Sequence, residues 1–201
     1  MWLALLIPGR DALRRESLLP AILPHFAIIA MSQGSVGGKT RVVSFGTIGH
    51  AQKNSWRQAS DTELASLLPA RAPVIKEHIE TEMRTASGIV DGRGRFIAGV
   101  VLITAGYSAE GKYSHFLVVQ SPIKVGGVDL KPGEYVFGYT HAKDVLNVHF
   151  NQAATGTLVG TANAHLMPSI KGVTNLHIWP PATRAIIQIG RFGVPYELEE
   201  R

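Results

Sequence analysis

The fold class is decided by residues 123–166, which run IKVGGVDLKPGEYVFGYTHAKDVLNVHFNQAATGTLVGTANAHL. Short segments with alternating apolar residues are separated here by turn residues. In the clearest segment every second residue is apolar, namely Leu146, Val148 and Phe150, and the residues between them are polar. A strand with one buried face and one wet face has this pattern. The stretch therefore predicts antiparallel β-hairpins.

Two turns delimit the strands of this stretch. Pro132 presets φ for the first corner of a turn, and Gly133 accepts the positive φ that a type II turn requires next. Gly126 and Gly127 interrupt the apolar run before that turn. We therefore expect residues 128–130 to begin a fresh short strand that leads into the Pro-Gly corner.

The second hairpin closes through the loop at residues 153–156, with glycine at its last position. Small residues dominate the predicted inner face of the strand that returns from this loop. We expect a bulky side chain, Phe150 or a tyrosine, to pack over them. That face consists of Leu158, Gly160, Ala162 and Ala164.

Upstream of these hairpins, one helix is clearly indicated. Ser60 and Glu63 match the capping box, in which each side chain accepts a hydrogen bond from a backbone N–H that the helix itself leaves unpaired. A short helix over residues 61–68 is predicted. Residues 74–85 fit helical and strand spacing alike, and we favour a short helix that passes into a strand around Ile79.

Further extended segments complete the fold prediction. They lie at residues 95–104, 113–120, 175–179 and 184–192, which brings the total to roughly seven to nine strands at close, regular spacing. The predicted class is mainly β: an antiparallel β-sandwich, with a small β-barrel as the alternative, and one or two short N-terminal helices.

Composition excludes several classes of protein. The chain has no cysteine, so it has neither disulfides nor thiolate ligands or nucleophiles. Its net charge of +5 is spread along the sequence, without a basic stripe interleaved with aromatic residues. Nucleic acid is therefore not an expected partner.

The first 32 residues predict an export signal. Arg14 and Arg15 precede an apolar stretch, residues 18–31, that contains two prolines and ends in small residues. This stretch is too short to cross a bilayer core of about 30 Å as a helix. We expect residues 1–32 to be a signal peptide or leader and residues 33–201 to form a single β-rich domain. The mature chain is then secreted or periplasmic and has no transmembrane segment.

The segment at residues 128–135, VDLKPGEY, resembles a hairpin of known β-sandwich modules. Its pattern, apolar-x-L-x-P-G-x-Y, is similar to that of transthyretin-like and carboxypeptidase-regulatory-like domains and of small secreted bacterial domains of unknown function. The similarity covers about ten to thirty residues and rests on turn geometry. It implies an exported β-sandwich and carries over no catalytic residue.

Histidines are the first candidates for chemistry, because a chain without cysteine can build metal sites only from histidine and carboxylate ligands. If residue 152 pairs with residue 157, His149 faces Gly160 and His165 faces Asp144 across the hairpin. The two imidazoles are then too far apart to chelate one ion. No G-x-S-x-G motif or phosphate-binding glycine loop is present either. We therefore assign no catalytic, cofactor-binding or metal-binding residue and expect no cofactor.

Three functions follow in order of preference. The first is an exported, non-catalytic domain that binds a protein, a cell-envelope component or another copy of itself, or that has a structural role there. The second is a small-ligand carrier with an apolar cavity lined by Tyr107, Tyr113, Tyr135 and Tyr139. The third is a hydrolase or metal enzyme that depends on His149 or His165.

Overall fold

The computed structural model describes residues 55–168 and 172–199. The predicted leader, residues 1–32, lies outside the described residues. The described chain contains one helix, α1 (Asp61–Leu67), and thirteen strands. The strands are β1 (Arg57–Gln58), β2 (Arg71–Val74), β3 (Glu77–Val90), β4 (Phe96–Leu102), β5 (His115–Val119), β6 (Ile123–Val125), β7 (Val128–Leu130), β8 (Gly133–Ala142), β9 (Val145–Gln152), β10 (Leu158–Leu166), β11 (Thr174–Ile178), β12 (Ile186–Gly190) and β13 (Phe192–Leu198).

Ten strands form one antiparallel sheet in the order β1-β3-β4-β5-β8-β9-β10-β13-β12-β11. The sheet curls until β11 lies beside β3, so that it nearly closes into a barrel. At this seam the backbone N–H of Ile178 donates to Ser87 Oγ at 2.9 Å. The prediction of a mainly β, antiparallel fold with a short helix is confirmed. The strand count was too low, because several strands have only two to four residues.

Two apolar layers hold the sheet together. Inside the barrel, aromatic and aliphatic side chains fill the space, with Phe137 and Phe150 in contact at a ring-centroid distance of 5.4 Å. Outside, α1 and β2 cover β3, β4, β5 and β8 and bury a second cluster that includes Leu64 and Phe116. The strand predicted at residues 95–104 is buried on both faces for this reason.

The predicted hairpin of β6 and β7 folds against the inside of the barrel. β6 pairs with β13, and Val128 packs against Gly160 of β10 so closely that a Cβ there would lie 2.8 Å from the Val128 side chain. The turn residue Gly126 has a φ of 54°, and a Cβ at this position would lie 2.7 Å from the Cβ of Ala162. This hairpin is therefore a bulky neighbour of the small residues of β10, and Phe150, which was expected there, lies opposite Gly160 in the pairing of β9 with β10.

The pairing of β9 with β10 changes register partway along. Leu158 faces Asn151 as predicted, but a bulge before Gly160 shifts the remaining pairs by one residue. His149 therefore faces Thr161, and His165 faces Val145, where Gly160 and Asp144 were expected. Leu158 itself is exposed.

Two further local predictions were wrong. Residues 74–85 contain no helix: β2 turns directly into the long strand β3 through Ile75, which has a φ of 58°. Gly133 does not have a positive φ and begins β8, so the Pro132 corner is not a type II turn. The capping box at Ser60 and Glu63 is confirmed, with both of its hydrogen bonds formed.

Candidate functional site

A cleft of about 570 Å³ opens at one end of the barrel, where β3, β5, β11 and β13 finish. Its size lies within the range of small-molecule sites. We call it the Trp56 cleft. Five separate parts of the chain form its walls, and the lining residues are Ser55, Trp56, Arg95, Ser121, Pro181, Ala182, Ala185, Tyr196, Glu197, Leu198 and Glu199.

Arg95 is held in the wall of the cleft by a buried carboxylate. Asp91 Oδ1 accepts hydrogen bonds from the backbone N–H groups of Arg93 and Arg95, both at 2.9 Å. Asp91 Oδ2 accepts two more from the Arg95 guanidinium at 2.7 Å. Burial opposes ionisation of Asp91, but these hydrogen bonds outweigh it and lower the carboxyl pKa below its usual value. The pair fixes the guanidinium and neutralises it.

Glu197 and Glu199 add negative charge at the rim of the cleft. Among the described residues, neither of them forms a salt bridge: the recorded pairs are Arg57–Glu63, Arg84–Glu82, Arg95–Asp91 and Lys124–Asp129. Since Asp91 already neutralises Arg95, the side chains that line the cleft carry a net negative charge. The chain as a whole is positive, at +5.

Ser121 and Ala185 contribute the two other unusual features of the cleft. Ser121 is 2% exposed, yet it lines the cleft, and no described residue hydrogen-bonds its hydroxyl. Ala185 has a φ of 50°, in the left-handed region that is unfavourable for residues with a Cβ. Strained backbone of this kind concentrates at functional sites.

The opposite end of the barrel contains the most strongly perturbed histidine. His115 is stacked on Phe137, with ring centroids 4.6 Å apart and planes within 2° of parallel. Its Nε2 donates to the carbonyl oxygen of Asn175 at 3.4 Å, and Ser114 Oγ donates to its Nδ1 at 2.8 Å. Burial lowers the imidazole pKa to about 4, against 6.5 ordinarily. His115 is thus a neutral, hydrogen-bonded core residue.

His149 and His165, the two candidates from the sequence, are not brought together. His149 Nδ1 lies 3.2 Å from Thr161 Oγ1 on the outer surface of the sheet, and His165 is exposed at the far end of β10. Within the described part of the chain, no three histidine, aspartate or glutamate side chains converge as metal ligands.

The four tyrosines expected to line an apolar cavity also lie apart. Tyr113 belongs to the outer cluster, Tyr135 donates to the carbonyl oxygen of Lys131, and Tyr139 is 39% exposed at the His115 end. Tyr107 packs at the edge of the outer cluster. The tyrosine that does line the Trp56 cleft is Tyr196, which the sequence did not single out.

The residues of the Trp56 cleft were missed because they are far apart in the sequence and match no motif. One signal was available. Asp91 begins the D-G-R-G-R turn, and aspartate at such a position accepts backbone hydrogen bonds two residues on. That signal would have located the fixed Arg95, but not the other walls.

Comparison with known proteins finds no matching family model, no matching curated protein and no matching solved structure. The resemblance of residues 128–135 to transthyretin-like modules therefore stays a prediction. In the described ranges, no helix combines the length and the apolar character that a membrane crossing requires.

Proposed function

We propose that this chain is an exported, non-catalytic binding domain that takes its ligand or partner at the Trp56 cleft. The observation that carries the proposal is the fixed, charge-neutralised Arg95 beside an aromatic wall. Ligand sites combine apolar walls with a few polar groups held in place, and the cleft has this composition. The proposed localisation, secreted or periplasmic, rests on the leader-like sequence of residues 1–32 alone.

The surroundings of the polar groups favour a binding function over a catalytic one. The most perturbed histidine, His115, is held by hydrogen bonds to Ser114 and to the backbone of Asn175, whereas Glu197 and Glu199 line an open cleft. A general base must reach a substrate proton directly or through one water. The proposed ligand or partner is a cell-envelope component, a protein or a second copy of the chain.

The test begins with protein recovered from its own source under non-denaturing conditions. Native mass spectrometry is expected to give a chain that starts near residue 33 with a ligand or partner attached. Trp56→Ala should release the bound species, whereas Tyr139→Ala, an exposed aromatic residue at the opposite end, should not.

Two results would count against this proposal. An uncleaved chain would refute export, and a bound species that persists in Trp56→Ala would place the binding surface elsewhere. A reproducible hydrolytic activity that disappears with His149→Ala or His165→Ala would instead support the enzymatic alternative.

A further inference from the structure

The barrel is held shut at its seam by side chains and not by a strand ladder. Among the described residues, β11 pairs with β12 along one edge, and no strand pairing joins its other edge to β3. The backbone N–H of Ile178 donates instead to Ser87 Oγ at 2.9 Å, and His177 Nδ1 lies 3.5 Å from the same oxygen. Local opening of a sheet costs least at an edge that so few hydrogen bonds hold in place.

β11 also covers the inner face of the sheet next to the seam. The side chain of Leu176 packs so closely on β4 that a Cβ at Gly99 would lie 3.0 Å from Leu176 Cδ2. Leu117 of β5 borders the same contact, and Leu176 and Ile178 both belong to the buried core inside the barrel. If β11 leaves the seam, this apolar surface of β4 and β5 is uncovered.

His115 joins β5 to β11. Its Nε2 donates to the backbone carbonyl oxygen of Asn175 at 3.4 Å, and the residue is 3% exposed. Since a carbonyl oxygen only accepts, Nε2 carries the proton and Nδ1 is the acceptor that Ser114 Oγ reaches at 2.8 Å. A second proton would occupy the nitrogen that accepts from Ser114, and it would place a charge in the core beneath β11.

The groups around His115 offer no counter-charge for a second proton. The ion pairs of the described chain do not include this histidine. Glu82 of β3 lies in its row of the sheet, across Val101 of β4, but Arg84 already pairs with that carboxylate at 2.9 Å. β8 contributes Tyr139, whose ring centroid is 6.2 Å away, and β11 contributes a backbone carbonyl. Burial therefore lowers the pKa of the imidazole to about 4.

His177 has a similar setting on β11 itself. Its ring centroid lies 4.4 Å from that of Trp179, edge to face, and Gln188 of β12 is its register partner. The charged groups nearby are Arg84, which borders the same surface depression, and Arg184, which lies over the Trp179 ring. Neither is a carboxylate, and burial lowers the pKa of His177 as well. Both histidines are therefore easier to protonate once β11 has left the seam.

We propose that β11 is an acid-released strap, which closes the barrel at neutral pH and detaches from β3 when His115 and His177 take up protons. Release breaks the hydrogen bonds that Asn175 and Ile178 make across the seam and uncovers the inner face beside Gly99, while the ladders of the remaining strands persist. Acid acts in this direction because a histidine that is harder to protonate in the closed state stabilises closure above its ordinary pKa of 6.5. That stabilisation is lost as the pH falls.

Hydrogen exchange of the full chain, followed by NMR at pH 7 and pH 5, tests the release. Protection factors, which correct for the intrinsic effect of pH on exchange, are compared for the amides of Ile178 in β11 and Val148 in β9. Protection of Ile178 is expected to fall about twentyfold between the two pH values from the shift of His115 alone. At pH 5 Ile178 should be less protected than Val148, and low concentrations of urea should accelerate the exchange of Val148 much more than that of Ile178.

Three variants separate the contributions. His115→Phe keeps an aromatic ring over Phe137 and should reduce the twentyfold change to the smaller part that comes from His177. His78→Gln, at an exposed histidine near the start of β3, is the matched control and should leave the change as it is. Ser87→Ala removes the oxygen that accepts from Ile178, and should lower the protection of β11 about fivefold at both pH values.

Two outcomes overturn the inference. If Ile178 and Val148 show equal protection at pH 5 and the same dependence on urea, β11 leaves the seam only when the whole chain unfolds. If His115→Phe retains the full change between pH 7 and pH 5, this histidine does not release the strap. A loss of protection that is confined to β11 at pH 5 and disappears in His115→Phe supports it.

Discussion

The two ends of the barrel contain similar chemistry used in opposite ways. At the His115 end, the imidazole is hydrogen-bonded to a serine hydroxyl on one side and to a backbone carbonyl on the other, and it stacks on Phe137. At the cleft end, an arginine, two glutamates and a serine hydroxyl border open space beside Trp56. The first arrangement satisfies its polar groups internally, whereas the second fixes Arg95 through Asp91 and leaves Glu197 and Glu199 without an ion pair to any described residue.

This difference shows how a group with a shifted pKa should be weighed as a sign of function. A shifted pKa is often taken as a sign of function. Here the largest histidine shift belongs to a buried imidazole whose hydrogen-bond partners are Ser114 Oγ and the backbone carbonyl oxygen of Asn175. The better indicator is a polar group that the protein fixes in place and then leaves facing solvent, as Asp91 does for Arg95.

The largest expected effects come from truncating one aromatic residue at each end of the barrel, which tests whether one end serves stability and the other binding. Phe137→Ala removes a fully buried ring and is expected to lower the free energy of unfolding by about 3–5 kcal/mol. Trp56→Ala removes a partly buried ring and should cost about 1–2 kcal/mol. Urea denaturation measures both losses, and native mass spectrometry of the two variants measures whether the bound species is retained.

Only Trp56→Ala should abolish binding. Equal losses of stability from the two variants, with binding retained in both, would show that the ends do not divide structure from function as described.

A second test removes the buried charge beneath the cleft. Asp91→Asn keeps the shape of the side chain but leaves Arg95 without its counter-charge, and should destabilise the fold by about 2–3 kcal/mol. Asp129→Asn is the matched control: its pair with Lys124 is exposed, so at most about 1 kcal/mol is expected. Equal losses of stability in Asp91→Asn and Asp129→Asn would contradict the buried pairing of Asp91 with Arg95.

The role of His115 is tested by measuring the free energy of unfolding as a function of pH. The unfolded chain protonates this histidine near pH 6.5, whereas the folded chain resists protonation until about pH 4. The stability that it contributes is therefore complete above pH 6.5 and is lost as the pH falls toward 4. Between pH 7 and pH 5 the loss should be about 2 kcal/mol.

Denaturation of His115→Phe at the same two pH values should show a correspondingly smaller loss. His177, whose pKa burial also lowers, is the control, since His177→Gln should remove a lesser part of the dependence. An unchanged pH dependence in His115→Phe would show that the imidazole is not buried as described.

How far the sequence anticipated this molecule depended on whether the signal was local. The alternation through Leu146, Val148 and Phe150 predicted its strand correctly because side-chain direction in a strand has a period of two. The capping box at Ser60 was also predicted correctly, because its partner Glu63 lies only three residues away. The bulge before Gly160 was not predictable, since the residues around it are apolar or small in either register.

The strand expected around Ile79 is part of β3, but the short helix expected before it is absent, because tertiary packing overrode local preference. Ile75 adopts a left-handed conformation that isoleucine disfavours, while its backbone N–H donates to the carbonyl oxygen of Ala153. The cleft was missed because its walls come from distant parts of the chain. Only the folded sheet brings Trp56, Ser121 and Glu197 together.

The smallest expected effects come from relieving strain at one position near each end. Ala185, in the cleft wall, and Lys143, in the turn between β8 and β9, both have a positive φ, of 50° and 54°. Replacing either by glycine removes the Cβ conflict but increases the freedom of the unfolded chain, so a net gain of only about 0.5–1 kcal/mol is expected for each. The two variants should therefore match in stability and differ in function. If the strain at Ala185 holds the cleft in its binding geometry, Ala185→Gly should lose part of the species that native mass spectrometry finds bound, while Lys143→Gly retains it. Equal retention in both variants would mean that the strain at Ala185 belongs to the turn alone.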